Sequence, residues 1–154
     1  MGYYDQLSQG YGELYGEEQR EKYRFVKDWL DKLEGVTLDV GSGTGIINEF
    51  IKPLILTDSS FGMLSKAEGT RVLCDARYLP FKDQVFDNCT CFTVLQDIYG
   101  KQRVVDELAR VTKGKIIITI LKKLKTREGV EKLFKGFKVE YREQEKDHCF
   151  LLSK

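Results

Sequence analysis

Gly41, Gly43 and Gly45 stand at every second position of the run Leu38-Asp39-Val40-Gly41-Ser42-Gly43-Thr44-Gly45. Bare backbone at that spacing turns sharply and lets a ligand lie directly on the peptide groups. Asp39 precedes the glycines. Two further acids each close an apolar run, in Leu54-Ile55-Leu56-Thr57-Asp58 and in Arg71-Val72-Leu73-Cys74-Asp75. A carboxylate at a strand end can accept hydrogen bonds from both hydroxyls of a ribose, and one at the next strand end can accept from an adenine amino group. Asp58 lies nineteen residues after Asp39, near the spacing of about twenty at which a dinucleotide fold places its ribose acid. The backbone N–H of Ala76 follows Asp75 and could donate to a ring nitrogen. The pattern is G-x-G-x-G, however, not the G-x-G-x-x-G of a dinucleotide fold, and it lacks the G-K-[ST] ending of a P-loop.

These groups need a sheet to align them. Val36, Leu38 and Val40 predict a buried strand running into the glycines, and 46–50 a short helix leaving them. Apolar residues at helical spacing predict a helix over 17–33, stopped by Gly35, that covers one sheet face. Lys52-Pro53 breaks the chain before the second strand. Ser59-Ser60 can cap a helix with Met63 and Leu64 on its inner face. A fourth strand is expected over 85–95, a helix over 101–111, and an almost wholly apolar fifth strand over 115–121. A helix over 126–135 precedes strands at 137–141 and 148–152, joined too closely for a helical crossover and so antiparallel. The fold class is therefore α/β: a mostly parallel, seven-stranded, Rossmann-like sheet with a C-terminal antiparallel hairpin and helices on both faces.

Composition narrows the setting. A length of 154 residues suits one domain, 1–154, and the net charge of +1 predicts no global attraction to nucleic acid or acidic lipid. No apolar run would span a bilayer, the first residues do not read as a signal peptide, and Gln6 argues against myristoylation of Gly2. Cys74, Cys89, Cys91 and Cys149 form no C-x-x-C pair and His148 is the sole histidine, so small buried hydrophobes in a reducing cytoplasm fit better than zinc. Tyr3, Tyr4, Tyr11 and Tyr15 fall in an N-terminal arm, 1–16, whose glycines predict an irregular stretch. The arm reads as a latch or as a lid over the cofactor.

The glycine motif with Asp39, then Asp58, then Asp75-Ala76, then Phe86-Asp87 opening the fourth strand, resembles the class I S-adenosylmethionine (SAM) dependent methyltransferases, in their order and over essentially the whole chain. The likeness is to small members of the ubiquinone-methyltransferase and type 11 kind. It implies transfer of a methyl group from SAM, leaving S-adenosylhomocysteine. It also implies that the loop of Gly41, Ser42, Gly43 and Gly45 cradles the methionine part, that Asp58 binds the ribose, and that Asp39, Ser59 and Met63 belong to the same cofactor site. Asp75 and Ala76 would then meet the adenine, Phe92 the region beside the sulfonium, and Tyr11 would belong to the closing arm. Tyr4-Asp5 and Tyr11-Gly12 resemble Tyr-Asp segments of those members, although Gly12 replaces the second acid. The stretch 58–81 also resembles small tRNA wobble-uridine methyltransferases.

The acceptor is left open between a small molecule and an RNA such as tRNA. Thr93-Val94-Leu95-Gln96-Asp97 stands where amino-methylating members carry N-P-P-Y, and no cysteine nucleophile is present there. Gln96 or Asp97 could orient an acceptor. Seven basic residues between Lys122 and Lys138 read as a solvated face or a phosphate-contacting patch. The chain has no insertion that would cap a substrate, so a small activator subunit, known for similar enzymes, is a candidate partner. The competing reading is a SAM-binding, non-catalytic partner subunit; an NAD oxidoreductase is disfavoured by the glycine spacing.

Overall fold

The computed structural model describes residues 13–154. A seven-stranded sheet runs in the order β3-β2-β1-β4-β5-β7-β6. The strands are β1 (Thr37–Val40), β2 (Leu54–Asp58), β3 (Thr70–Leu73), β4 (Asn88–Phe92), β5 (Ile116–Leu121), β6 (Lys138–Glu143) and β7 (Asp147–Ser153). The first five are parallel, and β7 runs antiparallel between β5 and β6. Strand order reverses between β1 and β4, the switch point where an open α/β sheet binds its ligand.

The helices are α1 (Glu13–Phe25), α2 (Lys27–Asp31), α3 (Phe61–Leu64), α4 (Lys101–Val111) and α5 (Arg127–Glu131). The strands alternate their side chains between two cores, as a period of two requires. Ile116, Ile118 and Ile120 pack with Val104, Leu108 and Val111 of α4 on one face. Ile117, Leu56, Cys149 and Leu151 pack under Tyr23, Val26, Trp29 and Leu30 on the other.

Four boundaries differ from the sequence reading. The helix expected over 17–33 is two: α1 already runs through Gly16, and the chain bends at Val26 (φ −111°, ψ 20°) before α2. Packing of the inner face of α1 outweighs the roughly 1 kcal/mol helix penalty of a glycine. The expected helix at 46–50 is a single 3-10 turn, Ile46–Glu49, entered through left-handed Gly45. The fourth strand is shorter than 85–95: Phe86 makes only an isolated bridge to Thr112, and Thr93 turns left-handed at φ 57°. The helix expected over 126–135 ends at Glu131 and finishes as a 3-10 turn, Lys132–Phe134. Among the described residues no helix is long and apolar enough to cross a membrane. The arm's first twelve residues, Tyr11 among them, lie outside the described residues.

Candidate active site

The C-terminal ends of β1, β2, β3 and β4 open into one cavity of about 450 Å³, walled on the far side by α1. That size falls within the range of small-molecule sites. Its floor is the glycine loop. The N–H groups of Gly41 and Ser42 both donate to the Thr57 carbonyl (2.9 and 2.8 Å). Ser42 Oγ accepts the Thr57 N–H at 3.1 Å. The loop is thereby tied to the end of β2.

Asp58 completes that tie. Its Oδ2 accepts the Gly43 N–H (2.8 Å) and its Oδ1 the Ser60 N–H (2.9 Å). Ser60 in turn accepts the Met63 N–H and caps α3. Asp75, at the next strand end, accepts from the Arg77 backbone N–H (2.9 Å) and from its guanidinium (2.7 and 3.1 Å). The Arg77 hydrogen bonds and charge hold the Asp75 carboxyl below the usual carboxylate range.

The cavity gathers Gly41, Ser42, Gly43, Asp58, Ser59, Met63, Asp75, Ala76 and Phe92 from the residues singled out in the sequence. Asp39 and Gly45 lie behind the loop and do not line it. Asp39 is buried and accepts from Thr90 Oγ1 at 2.6 Å. Burial pushes its carboxyl up to about 7, against the pull of the Thr90 and Ser42 hydrogen bonds. Gly45, at φ 81°, answers a packing demand: a Cβ there would sit 2.8 Å from the Cβ of Ala67. At Gly41 a Cβ would lie 2.1 Å from Val94 Cγ2, so the end of β4 rests directly on the glycine loop.

The far wall was only partly anticipated: the sequence puts Tyr15 in an irregular arm that could act as a latch or lid, and does not single out Gln19. Tyr15, Gln19 and Tyr23 all line the cavity from α1. Their spacing of four was the available signal, since such residues share one helix face. Burial, reinforced by the negative charges of Asp97, Asp147, Glu18 and Asp58, pushes the Tyr15 hydroxyl up to about 12. It is therefore a neutral hydrogen-bonding group at neutral pH. Arg77, Thr93, Asp97 and Tyr99 complete the lining. His148 is remote, packed on the hairpin between the Tyr141 hydroxyl (2.7 Å) and the Lys125 carbonyl (3.0 Å). In the basic stretch, Arg127 pairs with Glu131 (2.7 Å) and stacks on Tyr141, while Lys122 approaches Glu143 at 3.8 Å.

Residues 38–118, from β1 through the cavity-lining loops to β5, match the sequence profile of the methyltransferase domain. The chain belongs to the class I SAM-dependent methyltransferase family. A demethylmenaquinone methyltransferase of Thermobifida fusca is 36% identical over 99 residues, covering 54% of this chain and 42% of the relative. The chain spans about half the length of the curated relatives it matches. A protein from Pyrococcus horikoshii superposes with a TM-score of 0.81 at 18% identity, covering 99% of both chains. A Haloferax volcanii protein, from a complex between the Trm112 methyltransferase activator and a methyltransferase, gives 0.78 at 12% identity over 99% of this chain and 98% of its own. At such identities the two structures speak for the fold, which in this family member sets the cavity at the strand-order reversal.

Proposed function

We propose that residues 1–154 form one domain that binds SAM in this cavity and transfers its methyl group to an acceptor, leaving S-adenosylhomocysteine. One observation carries the reading: a glycine loop pinned open by Asp58, with Asp75 at the neighbouring strand end of the same cavity. The residues present fit the cofactor. The side-chain-free backbone of Gly41 and Gly43 would accommodate the methionine part, Asp58 and Ser59 the ribose, and Asp75 and Ala76 the adenine. Phe92 and Met63 supply apolar surface. Bound SAM supplies a methyl group on a positively charged sulfur, open to in-line displacement. The protein's share is then to align the acceptor and exclude water, which can provide most of the rate. Tyr15, neutral over the working pH range, would orient an acceptor by hydrogen bonding, and Asp97, which lines the same cavity from the turn after β4, would receive a proton where the acceptor must lose one.

The acceptor in this reading is a small molecule or an RNA such as tRNA. The Haloferax neighbour's assembly supports a small activator subunit as a partner, to be sought by co-purification. Free thiols at all four cysteines, three of them buried, support work in the reducing cytoplasm. The deciding experiment is thermal unfolding with SAM, S-adenosylhomocysteine and NAD in parallel. Ligand at about a hundred times its Kd should stabilise the protein by roughly 2.7 kcal/mol. A rise in Tm with the two sulfur compounds and none with NAD is expected; a rise with NAD alone, or with none, overturns the assignment.

A further inference from the structure

A buried ion pair beside the cavity has no part in the reading above. Lys22 of α1 and Asp147 at the start of β7 are 6% and 0% exposed, with Nζ 3.3 Å from Oδ2. Both converge on Thr93. Lys22 Nζ donates to Thr93 Oγ1 at 3.0 Å, and Thr93 Oγ1 donates to Asp147 Oδ2 at 3.2 Å. The Thr93 N–H donates to Thr119, to Oγ1 at 2.9 Å and to the carbonyl at 3.1 Å. The Thr93 carbonyl accepts from Gln96 Nε2 at 2.6 Å. Every polar atom of this residue is thus held, the hydroxyl and the N–H by groups far away in sequence.

Thr93 needs holding. It sits at φ 57°, and a β-branched residue in the left-handed region is a genuine outlier that persists only where its surroundings over-determine it. The turn has a consequence for the cavity. It carries the chain off β4 so that Val94 lands on Gly41, where even one added carbon would collide. The Asp147 Oδ1 atom, buried with no hydrogen-bond partner among the described residues, shows that the carboxylate is not placed there for its own solvation.

We propose that Lys22 and Asp147 are positioning residues that hold the left-handed turn at Thr93 and through it fix Val94 against the glycine loop, setting the joint on which the cofactor lies. The proposal rests on the reading of the cavity as a SAM site for its binding readout, but not for its conformational one. Charge supplied from α1 and β7 does what a glycine at position 93 would do without help. The test follows from that equivalence. Lys22→Met/Asp147→Leu removes both charges together, which avoids leaving either one buried alone. Its affinity for S-adenosylhomocysteine, measured by calorimetry, should fall about tenfold or more. Adding Thr93→Gly should abolish the effect: the triple variant should bind as Thr93→Gly alone does. A simple structural contribution would not be cancelled in this way. The double variant binding like the native protein, or the triple binding about tenfold more weakly than Thr93→Gly, overturns the proposal.

A second readout needs no ligand. The one-bond Cα–Hα coupling of Thr93, measured by NMR, reports positive φ. It should show that signature in the native protein and lose it in the double variant or, should that variant not fold, in Asp147→Asn. Retention of the signature overturns the clamp. Should native protein bind no S-adenosylhomocysteine, the SAM reading falls, and the coupling still decides the role of the pair.

Discussion

Asp58 and Asp147 are both carboxylates at strand ends beside one cavity, and they do opposite things. Asp58 spends its oxygens on backbone N–H groups of its own neighbourhood, Gly43 and Ser60, and stays in reach of the cavity. Asp147 is sealed off, pairs with a lysine of α1, and makes its hydrogen bond to the cavity lining through Thr93. The glycine-loop half of the site is shaped by bare glycine backbone tied to the end of the neighbouring strand through Thr57, Ser42 and Asp58. The β4 half is shaped by side chains arriving from α1, β5 and β7. The first can be built by a short motif; the second exists only once the fold is complete.

The sharpest way to break this contrast is to strand one buried charge. Lys22→Ala or Asp147→Ala should destabilise the protein by about 3–5 kcal/mol, because an uncompensated ion remains in the interior. Urea denaturation reads this directly, and a loss below about 1 kcal/mol would mean that water reaches the pair. Asp58→Ala should cost less stability, roughly 1.5–3 kcal/mol for lost charged hydrogen bonds, while weakening S-adenosylhomocysteine binding far more than Asp58→Asn does. Titration of both variants against native protein checks it.

Asp39 is a third carboxylate, and its contribution to stability depends on pH. Its folded-state value of about 7 lies above the unfolded one, so the folded protein binds the extra proton. Stability from this group is full below about pH 4 and declines toward pH 7, by up to about 1.4 kcal/mol per pH unit. Asp39→Asn should flatten that decline in denaturation midpoints taken between pH 4 and 7. The smallest effect belongs to the surface: Asp28 and Arg142 pair at 2.6 Å but are half exposed and 30% exposed, so Asp28→Ala should cost no more than about 1 kcal/mol.

Much of this was legible in the residues. Apolar runs placed β1, β2, β3 and β5, with an acid closing the second and third, and the short connection before the last strand placed the antiparallel hairpin. Glycine spacing put the loop under the cavity, although it did not separate Gly41, which receives Val94, from Gly45, which receives Ala67. That distinction depends on which neighbour packs against each position. The limits of β4 were not legible, because Val94 and Leu95 look like strand while the conformation of Thr93 is set by groups distant in sequence. Lys22 was the hardest to see. A lysine on an amphipathic helix normally faces water, and nothing near it in sequence announces Asp147.

The ion pairs between the N-terminal helices and the hairpin also set an order of events for a growing chain. Lys146 reaches Glu18 across 128 residues and Arg142 reaches Asp28 across 114, while Lys22 meets Asp147 in the same seam. Contacts of such long range must await loop closure. On the ribosome, the glycine loop and its two acids emerge early and can take their local shape. The helix that forms the far wall can pack on Leu56 and Ile117 before the hairpin exists, but its ion pairs to β7 and the hairpin turn form only when the hairpin is made. Ligand competence should therefore be completed only once the hairpin has emerged, instead of accruing strand by strand.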